Sequence, residues 1–346
     1  MNAKKALLVV VLAVLLCVFG FFMVAMSWTK TPCGELDLRA ALLLKFIDVA
    51  RYDLFRPGQS IAATRAVMNA SRMLKGKGMP VAEVRDASFA GPGGQLKVRI
   101  YRPVRSEVLP VAVYYHGGGW ALGGLDSHDN LCRAISNAAR ALVVSVDYRL
   151  APEHPFPAAV DDAYAGLVWA HANARSLGGD PERIAVAGDS AGGNLAAVVA
   201  VLARDRKGPR ISQQTLIYPQ TDAARLTTES HRNFAQGYYL TKSYIEKFRE
   251  MYVPDKGSWS DPRVSPLLTR ELRGLPPALV ITAQFDPLRD EGEAYAQRLR
   301  ESGVGVRTRR FKGLIHGFLG MDRLFPQFSE AVELIAAEMK KHLASR

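Results

Sequence analysis

Cysteine is scarce in this chain: Cys17, Cys33 and Cys132 are the only three in 346 residues. That is too few for a disulfide framework, and no C-x-x-C pair points to zinc. No repeat period is present, which excludes solenoids and propellers. Lys and Arg outnumber Asp and Glu by 45 to 33, a formal charge of +12. The basic residues are nevertheless scattered and nowhere form a run of about 5–8 residues, so no nucleic-acid partner is expected. Neither glycine cluster reads G-x-x-x-x-G-K-[ST] or G-x-G-x-x-G, which argues against nucleotide binding. Hydrophobic residues at 48% and charged residues at 23% are ordinary globular usage and exclude disorder and collagen-like repeats. The length suits one large domain carrying an insertion.

The longest apolar run lies at the start. After Lys4 and Lys5, the 21 residues from Ala6 to Met26 carry no charge and are dominated by Leu, Val and Phe. A helix of that length spans about 30 Å, the thickness of a bilayer's hydrocarbon core. A helix of a globular core normally keeps a polar face, and this run has none. Residues 1–30 are therefore expected to be a transmembrane signal-anchor, with the chain single-pass and its bulk, residues 31–346, on the periplasmic or extracytoplasmic side. Secretion after signal-peptide cleavage is the alternative. However, the run exceeds the usual apolar region of roughly 7–15 residues, and Ala25-Met26-Ser27 is only a passable cleavage site. Cys33 and Cys132 could pair in such a compartment, with free thiols as the default expectation. Asn69-Ala70-Ser71 is a glycosylation sequon, meaningful only in a eukaryotic secretory pathway.

Beyond the anchor, apolar residues recur at helical spacing from Leu36 to Ala50 and from Ser60 to Leu74, with Pro57-Gly58 between them. Val84–Phe89 and Leu96–Tyr101 alternate around Gly91-Pro92-Gly93-Gly94, a hairpin signal. Short β-branched runs follow at Val111–Tyr115, Ala141–Val146, Arg183–Ala187, Gln214–Tyr218, Ala278–Ala283 and Val306–Phe311. Helical stretches at 127–139, 158–174, 191–204, 290–301 and 328–342 separate most of them. This alternation predicts a mostly parallel sheet covered on both faces. Between Tyr218 and Ala278 the rhythm breaks for about sixty residues, too long for a βα connection. The insertion predicts a helical cap over about 222–262, joined by the early helices at about 36–75. Its aromatics, among them Phe234, Tyr239, Tyr244, Phe248, Tyr252 and Trp259, either form the cap's own core or line a pocket.

Gly188-Asp189-Ser190-Ala191-Gly192 fits G-x-S-x-G and lies between a strand and a helix. A serine on such an elbow has strained backbone angles, its hydroxyl is exposed, and the following N–H groups aim at the same point. The alternative is a glycine-rich helix start that binds an anion. His116-Gly117-Gly118-Gly119-Trp120 ends an earlier strand, and consecutive glycines let N–H groups face a cavity, as an oxyanion hole requires. His116 itself is expected to brace that loop. A serine nucleophile needs a base, and the base an orienting acid. Among seven histidines, His316 follows the last strand in a loop. His128, His171, His231 and His342 read as surface residues, and His154 lies in a proline-rich loop. Asp286 closes the strand starting at Ala278, whereas Asp290 and Glu291 open the next helix and suit its dipole. The order Ser190, Asp286, His316 is the α/β-hydrolase order.

With these residues in hand, the chain resembles the hormone-sensitive-lipase-like family of α/β-hydrolases, the bacterial family IV carboxylesterases. The signatures are His116–Trp120, Asp147–Pro157, Gly188–Asn194, Asp286-Pro287-Leu288 and His316-Gly317-Phe318. The resemblance implies an α/β-hydrolase fold with a helical cap. It makes Ser190 the nucleophile, Asp286 the acid and His316 the base, with the N–H groups of Gly118, Gly119 and Ala191 as oxyanion hole. It implies no metal, no organic cofactor, and a small-molecule ester of short to medium chain length as substrate. In the Tyr148–Pro157 stretch, Arg149 and Glu153 are expected to form buried polar contacts. An apolar N-terminus is similar to the layout of arylacetamide-deacetylase-like relatives, which brings in amide hydrolysis as an alternative. Plant gibberellin receptors resemble the family too but lack the catalytic histidine, so a ligand-binding receptor is the alternative of another class.

Overall fold

The computed structural model describes residues 3–56, 58–70, 76 and 78–344. Eight β-rich runs form one sheet: β3 (Glu83–Gly91), β4 (Gly94–Arg102), β5 (Leu109–Tyr115), β6 (Leu142–Asp147), β7 (Gly179–Asp189), β8 (Gln213–Ile217), β9 (Ala278–Phe285) and β10 (Val306–Ile315). Strands β1 (Lys30–Thr31) and β2 (Gly34–Glu35) form a separate hairpin. The large sheet has the order β10-β9-β8-β7-β5-β6-β4-β3. Its β6-to-β10 side is parallel throughout, whereas β3, β4 and β6 pair antiparallel.

Both faces are dry, which explains why the central strands read as continuous apolar runs. Along β5, Val111, Val113 and Tyr115 join one core layer while Ala112 and Tyr114 join the other. The first layer is closed by α5 (Ala158–Asn173), α6 (Ala191–Asp205) and α9 (Arg289–Glu301), the second by α4 (Asp129–Ala139) and α10 (Gln327–His342). Each buried Val, Leu or Ile side chain contributes roughly 1.5–3 kcal/mol. Helix α6 is buried nearly all round, and its Ala and Gly residues let the flanking strands and α5 approach closely.

The segment before the sheet departs from expectation. Helix α1 (Ala3–Ser27) precedes the β1–β2 hairpin, α2 (Leu38–Val49) and α3 (Ile61–Ala70). Among the described residues no helix is long and apolar enough to cross a membrane. The signal-anchor over residues 1–30, the membrane partner and the single-pass extracytoplasmic location inferred from it are therefore withdrawn. The end of α1 packs on the body. Ala25 and Thr29 are buried, and Trp28 packs against the α4–α10 core layer. The following residues then form a strap. Cys33 O accepts from Gln284 Nε2 at 3.1 Å, and Gln284 Oε1 accepts the Gly313 N–H at 2.9 Å. Asp37 donates its own N–H to Gly313 O at 2.9 Å and caps α2 by accepting the Arg39 N–H. Cys33 and Cys132 are free thiols. The end of the helix expected over 60–74, and Ser71 of the sequon, lie outside the described residues.

The insertion between β8 and β9 holds α7 (Glu229–Asn233), α8 (Lys242–Tyr252) and two single helical turns, Lys256–Ser260 and Pro266–Leu268. Leu54, Phe55 and Ile61 pack against Tyr244 and Phe248 of α8, and Tyr244 Oη both accepts the Leu54 N–H and donates to Asp53, each at 2.9 Å. The aromatics divide between the two roles. Phe234 and Tyr238 pack on Phe285, Tyr252 stacks on Trp120 at 4.3 Å, and Trp259 lies under Arg249. Tyr239, Tyr244 and Phe248 face a cavity.

Candidate active site

Ser190 occupies the turn from β7 into α6 with φ 55° and ψ −119°, a positive φ that costs energy for a residue carrying a Cβ. Neighbours on both sides hold it there. Its N–H donates to Ile217 O at 2.8 Å, and its carbonyl accepts the Asn194 N–H at 3.0 Å. The turn is close because Gly192 lies against the Tyr115 carbonyl oxygen, which a Cβ would overlap. Asn194 is pinned in turn by donating to Gln220 O and Val264 O at 2.9 and 2.8 Å.

Asp286 lies just past β9 and is fully buried. Its Oδ1 accepts the Leu288 N–H at 2.8 Å, and its Oδ2 is 2.7 Å from His316 Nδ1. His316, the residue after β10, places Nε2 2.9 Å from Ser190 Oγ. An ionised carboxylate only accepts, so Nδ1 carries the proton and Nε2 presents a lone pair to the serine hydroxyl. The Tyr218 ring backs the imidazole at 4.7 Å.

Gly118 and Gly119 follow β5 with φ of 120° and 59°, and their N–H groups donate to no acceptor among the described residues. Ala191 opens α6, so its N–H lacks an intrahelical acceptor. The Phe248 ring lies where a side chain on Gly119 would project. Gly118, Gly119 and Ser190 line a cavity of about 240 Å³, walled by Leu54, Leu122, Tyr239, Tyr244, Ile245, Phe248, Leu288 and Met321. Such a lining suits an apolar ligand oriented by a few polar groups. No group of three or more His, Cys, Asp or Glu side chains among the described residues could hold a metal ion.

Two histidines read as surface residues are not. His128 lines the cavity wall and sits 3.1 Å from Asp189 through Nε2. His231 is fully buried, 3.2 Å from Glu291. Glu291 also accepts the Thr221 N–H, and burial raises its carboxyl above the ordinary range against the opposing pull of His231. Beside them, Ser230 donates to Pro287 O at 2.7 Å and accepts the Asp290 N–H at 3.2 Å, clamping the loop that carries Asp286. The partners of these residues lie dozens of positions away, and no local pattern announces them.

Arg149 does form a largely buried contact, with Asp162 at 2.8 Å. Glu153 does not: its carboxylate is half exposed and pairs with Arg65 of α3 at 2.7 Å. Arg65 also donates to Ala121 O and Ala151 O, each at 2.7 Å, fastening α3 to the chain beyond the glycine loop. His116 is fully buried, stacked on Tyr148 at 4.2 Å, and donates through Nδ1 to Gly117 O at 2.9 Å. Burial, reinforced by nearby His128, lowers its pKa to about 4, so it braces the loop in neutral form.

Residues 112–320 match a family described as having the alpha/beta hydrolase fold. The carboxylic ester hydrolase LipN of Mycobacterium tuberculosis is 45% identical over 318 residues, covering 90% of this chain and 84% of its own. The carboxylesterase NlhH of the same species is 48% identical over 253 residues, 72% of this chain and 79% of its own. Among solved structures, a hyperthermophilic esterase from the archaeon Pyrobaculum calidifontis superposes with a TM-score of 0.82 at 43% identity, covering 87% of this chain and 97% of its own.

Proposed function

The chain belongs to the hormone-sensitive-lipase-like α/β-hydrolases, and on that footing we propose that it is a serine carboxylesterase acting on short- to medium-chain esters through an acyl-enzyme on Ser190. The observation that carries this reading is the continuous line Asp286–His316–Ser190, with spacings of 2.7 and 2.9 Å, beside N–H groups that lack acceptors. The ester-hydrolase names of the relatives favour esters over amides.

His316 Nε2 takes the Ser190 proton as Oγ attacks the ester carbonyl. Asp286 holds the ring in the tautomer that leaves Nε2 free and stabilises its charge once protonated. The carbonyl oxygen becomes an oxyanion, met by the N–H groups of Gly118, Gly119 and Ala191. His316 then gives its proton to the departing alkoxide, which leaves as the alcohol. Water, deprotonated by the same nitrogen, attacks the acyl-serine and releases the acid, and Ser190 regains its proton. The cap aromatics enclose the acyl group and exclude bulk water, which strengthens the oxyanion hydrogen bonds.

The test is turnover of chromogenic esters from acetate to dodecanoate by the full chain, beside Ser190→Ala, with circular dichroism showing both folded. Turnover of the shorter esters that disappears in Ser190→Ala, a loss of 10³-fold or more, is expected. A folded wild type no faster than the variant on every ester removes the proposal.

A further inference from the structure

Behind the oxyanion loop, one buried carboxylate collects donors from three separate elements. Asp189 accepts the Tyr114 hydroxyl of β5 at 2.7 Å and the Gly117 N–H at 2.9 Å. His128, the residue before α4, places Nε2 3.1 Å from it. Burial alone would raise this carboxyl, but His128 and the Tyr114 hydroxyl outweigh it and hold it below the usual carboxylate range. Gly117 approaches so closely that a Cβ would overlap the carboxylate. His128 is fixed from its other side as well: Nδ1 lies 2.8 Å from Ser127 Oγ, which donates to Gly124 O at 2.8 Å and accepts the Gly124 N–H at 2.9 Å. The His116 and Tyr114 rings, at 5.7 and 6.1 Å, close the cluster.

Asp189 is the residue before Ser190, and Gly117 the residue before Gly118. One carboxylate therefore ties the nucleophile's turn to the oxyanion loop, and His128, held from both ends, keeps that carboxylate aimed together with Tyr114. We propose that His128 is a positioning residue for the ester hydrolysis inferred above: by orienting Asp189, it sets the distance from the Gly118 and Gly119 donors to the carbon that Ser190 attacks. Oxyanion donors work only within a few tenths of an ångström of their required position. His128 is itself part of the cavity wall, but the ester's apolar parts meet instead the apolar side chains around it, among them Tyr239, Tyr244 and Phe248. Its loss should therefore fall on kcat and spare KM.

The experiment compares wild type, His128→Leu and His128→Gln in the full chain. Gln places an amide donor near the site of Nε2; Leu supplies none. His128→Leu is expected to lower kcat about tenfold with KM within about twofold, a fraction of the loss from deleting an oxyanion donor outright. His128→Gln should recover most of the rate. A merely structural histidine would lower Tm and leave kcat of the folded enzyme unchanged, and that result overturns the proposal, as does a Gln variant no better than Leu. Hydrogen exchange at the Gly117 amide supplies a readout that needs no substrate. It should be slow in wild type and His128→Gln and fast in His128→Leu; equal rates in all three overturn the positioning role. A wild type that hydrolyses no ester defeats the esterase reading alone, and the Gly117 amide then decides this one.

Discussion

His116 makes stability depend on pH with a sign and size that follow from its burial. Folded, it titrates near a pKa of about 4; in an unfolded chain, an imidazole titrates near 6.5. As pH falls, the unfolded chain takes up the proton first, so acid favours unfolding. The contribution is whole above about pH 6.5, erodes below that, and is gone near pH 4. Each unit of separation corresponds to about 1.4 kcal/mol, so the group can withdraw about 3 kcal/mol in all. About 2 kcal/mol of that is lost between pH 7 and pH 5. His116→Phe keeps a ring against Tyr148 but cannot charge. It also forfeits the bond to Gly117 O, about 1 kcal/mol at every pH. Urea unfolding followed by circular dichroism at pH 7 and pH 5 should show the variant less stable at pH 7, with a fall to pH 5 smaller than wild type's by about 2 kcal/mol. Parallel losses in the two proteins would refute the reasoning, because the buried imidazole would then be charging without penalty.

Two further outcomes concern the pocket. Gly119→Ala must adopt φ 59° and push its methyl group into the Phe248 ring, displacing the N–H proposed as an oxyanion donor; kcat on the best ester should fall on the order of 10²–10³, with Tm much less affected. Phe248→Ala removes a ring standing beside that donor. Across the ester series, its optimum should move by two or more carbons toward longer acyl chains, with the gain mainly in KM; an unchanged profile would place the acyl group elsewhere.

What could be read from the sequence was local. The Ser190 turn and the loop through Gly118 and Gly119 advertise themselves because backbone strain and close approach demand glycine at fixed offsets. The strand–helix alternation survives because strand segments buried on both faces must be apolar, as β5 is along its length and β7 is from Ile184 to Gly188. Asp286 and His316 were legible as the residues ending successive strands. Contacts that depend on distant partners were not. His128 meets Asp189 across 61 positions, and Arg65 meets Glu153 across 88; either side chain, read in its own neighbourhood, resembles a solvated polar residue. Residues 1–30 misled for the opposite reason. A uniformly apolar run fits a bilayer in isolation, and what ties the chain after it to the body, the packing of Trp28 and the bonds of Cys33 and Asp37 to Gln284 and Gly313, is not written in the run itself.

That strap bears on when the enzyme can first work. Residues 33–37 are made well before the atoms they hold, the Gln284 amide 251 positions after Cys33 and the Gly313 backbone, and each of those lies within three residues of Asp286 or His316. A nascent chain already carries Ser190 and the Gly117–Gly119 loop while it still lacks Asp286 and His316. The strap can dock only once β9 and β10 exist, a pairing of high sequence separation and correspondingly slow. On the roles proposed for Ser190, Asp286 and His316, ester turnover by a growing chain is thus withheld until His316 has been made, and a chain that stops short of it stays inert.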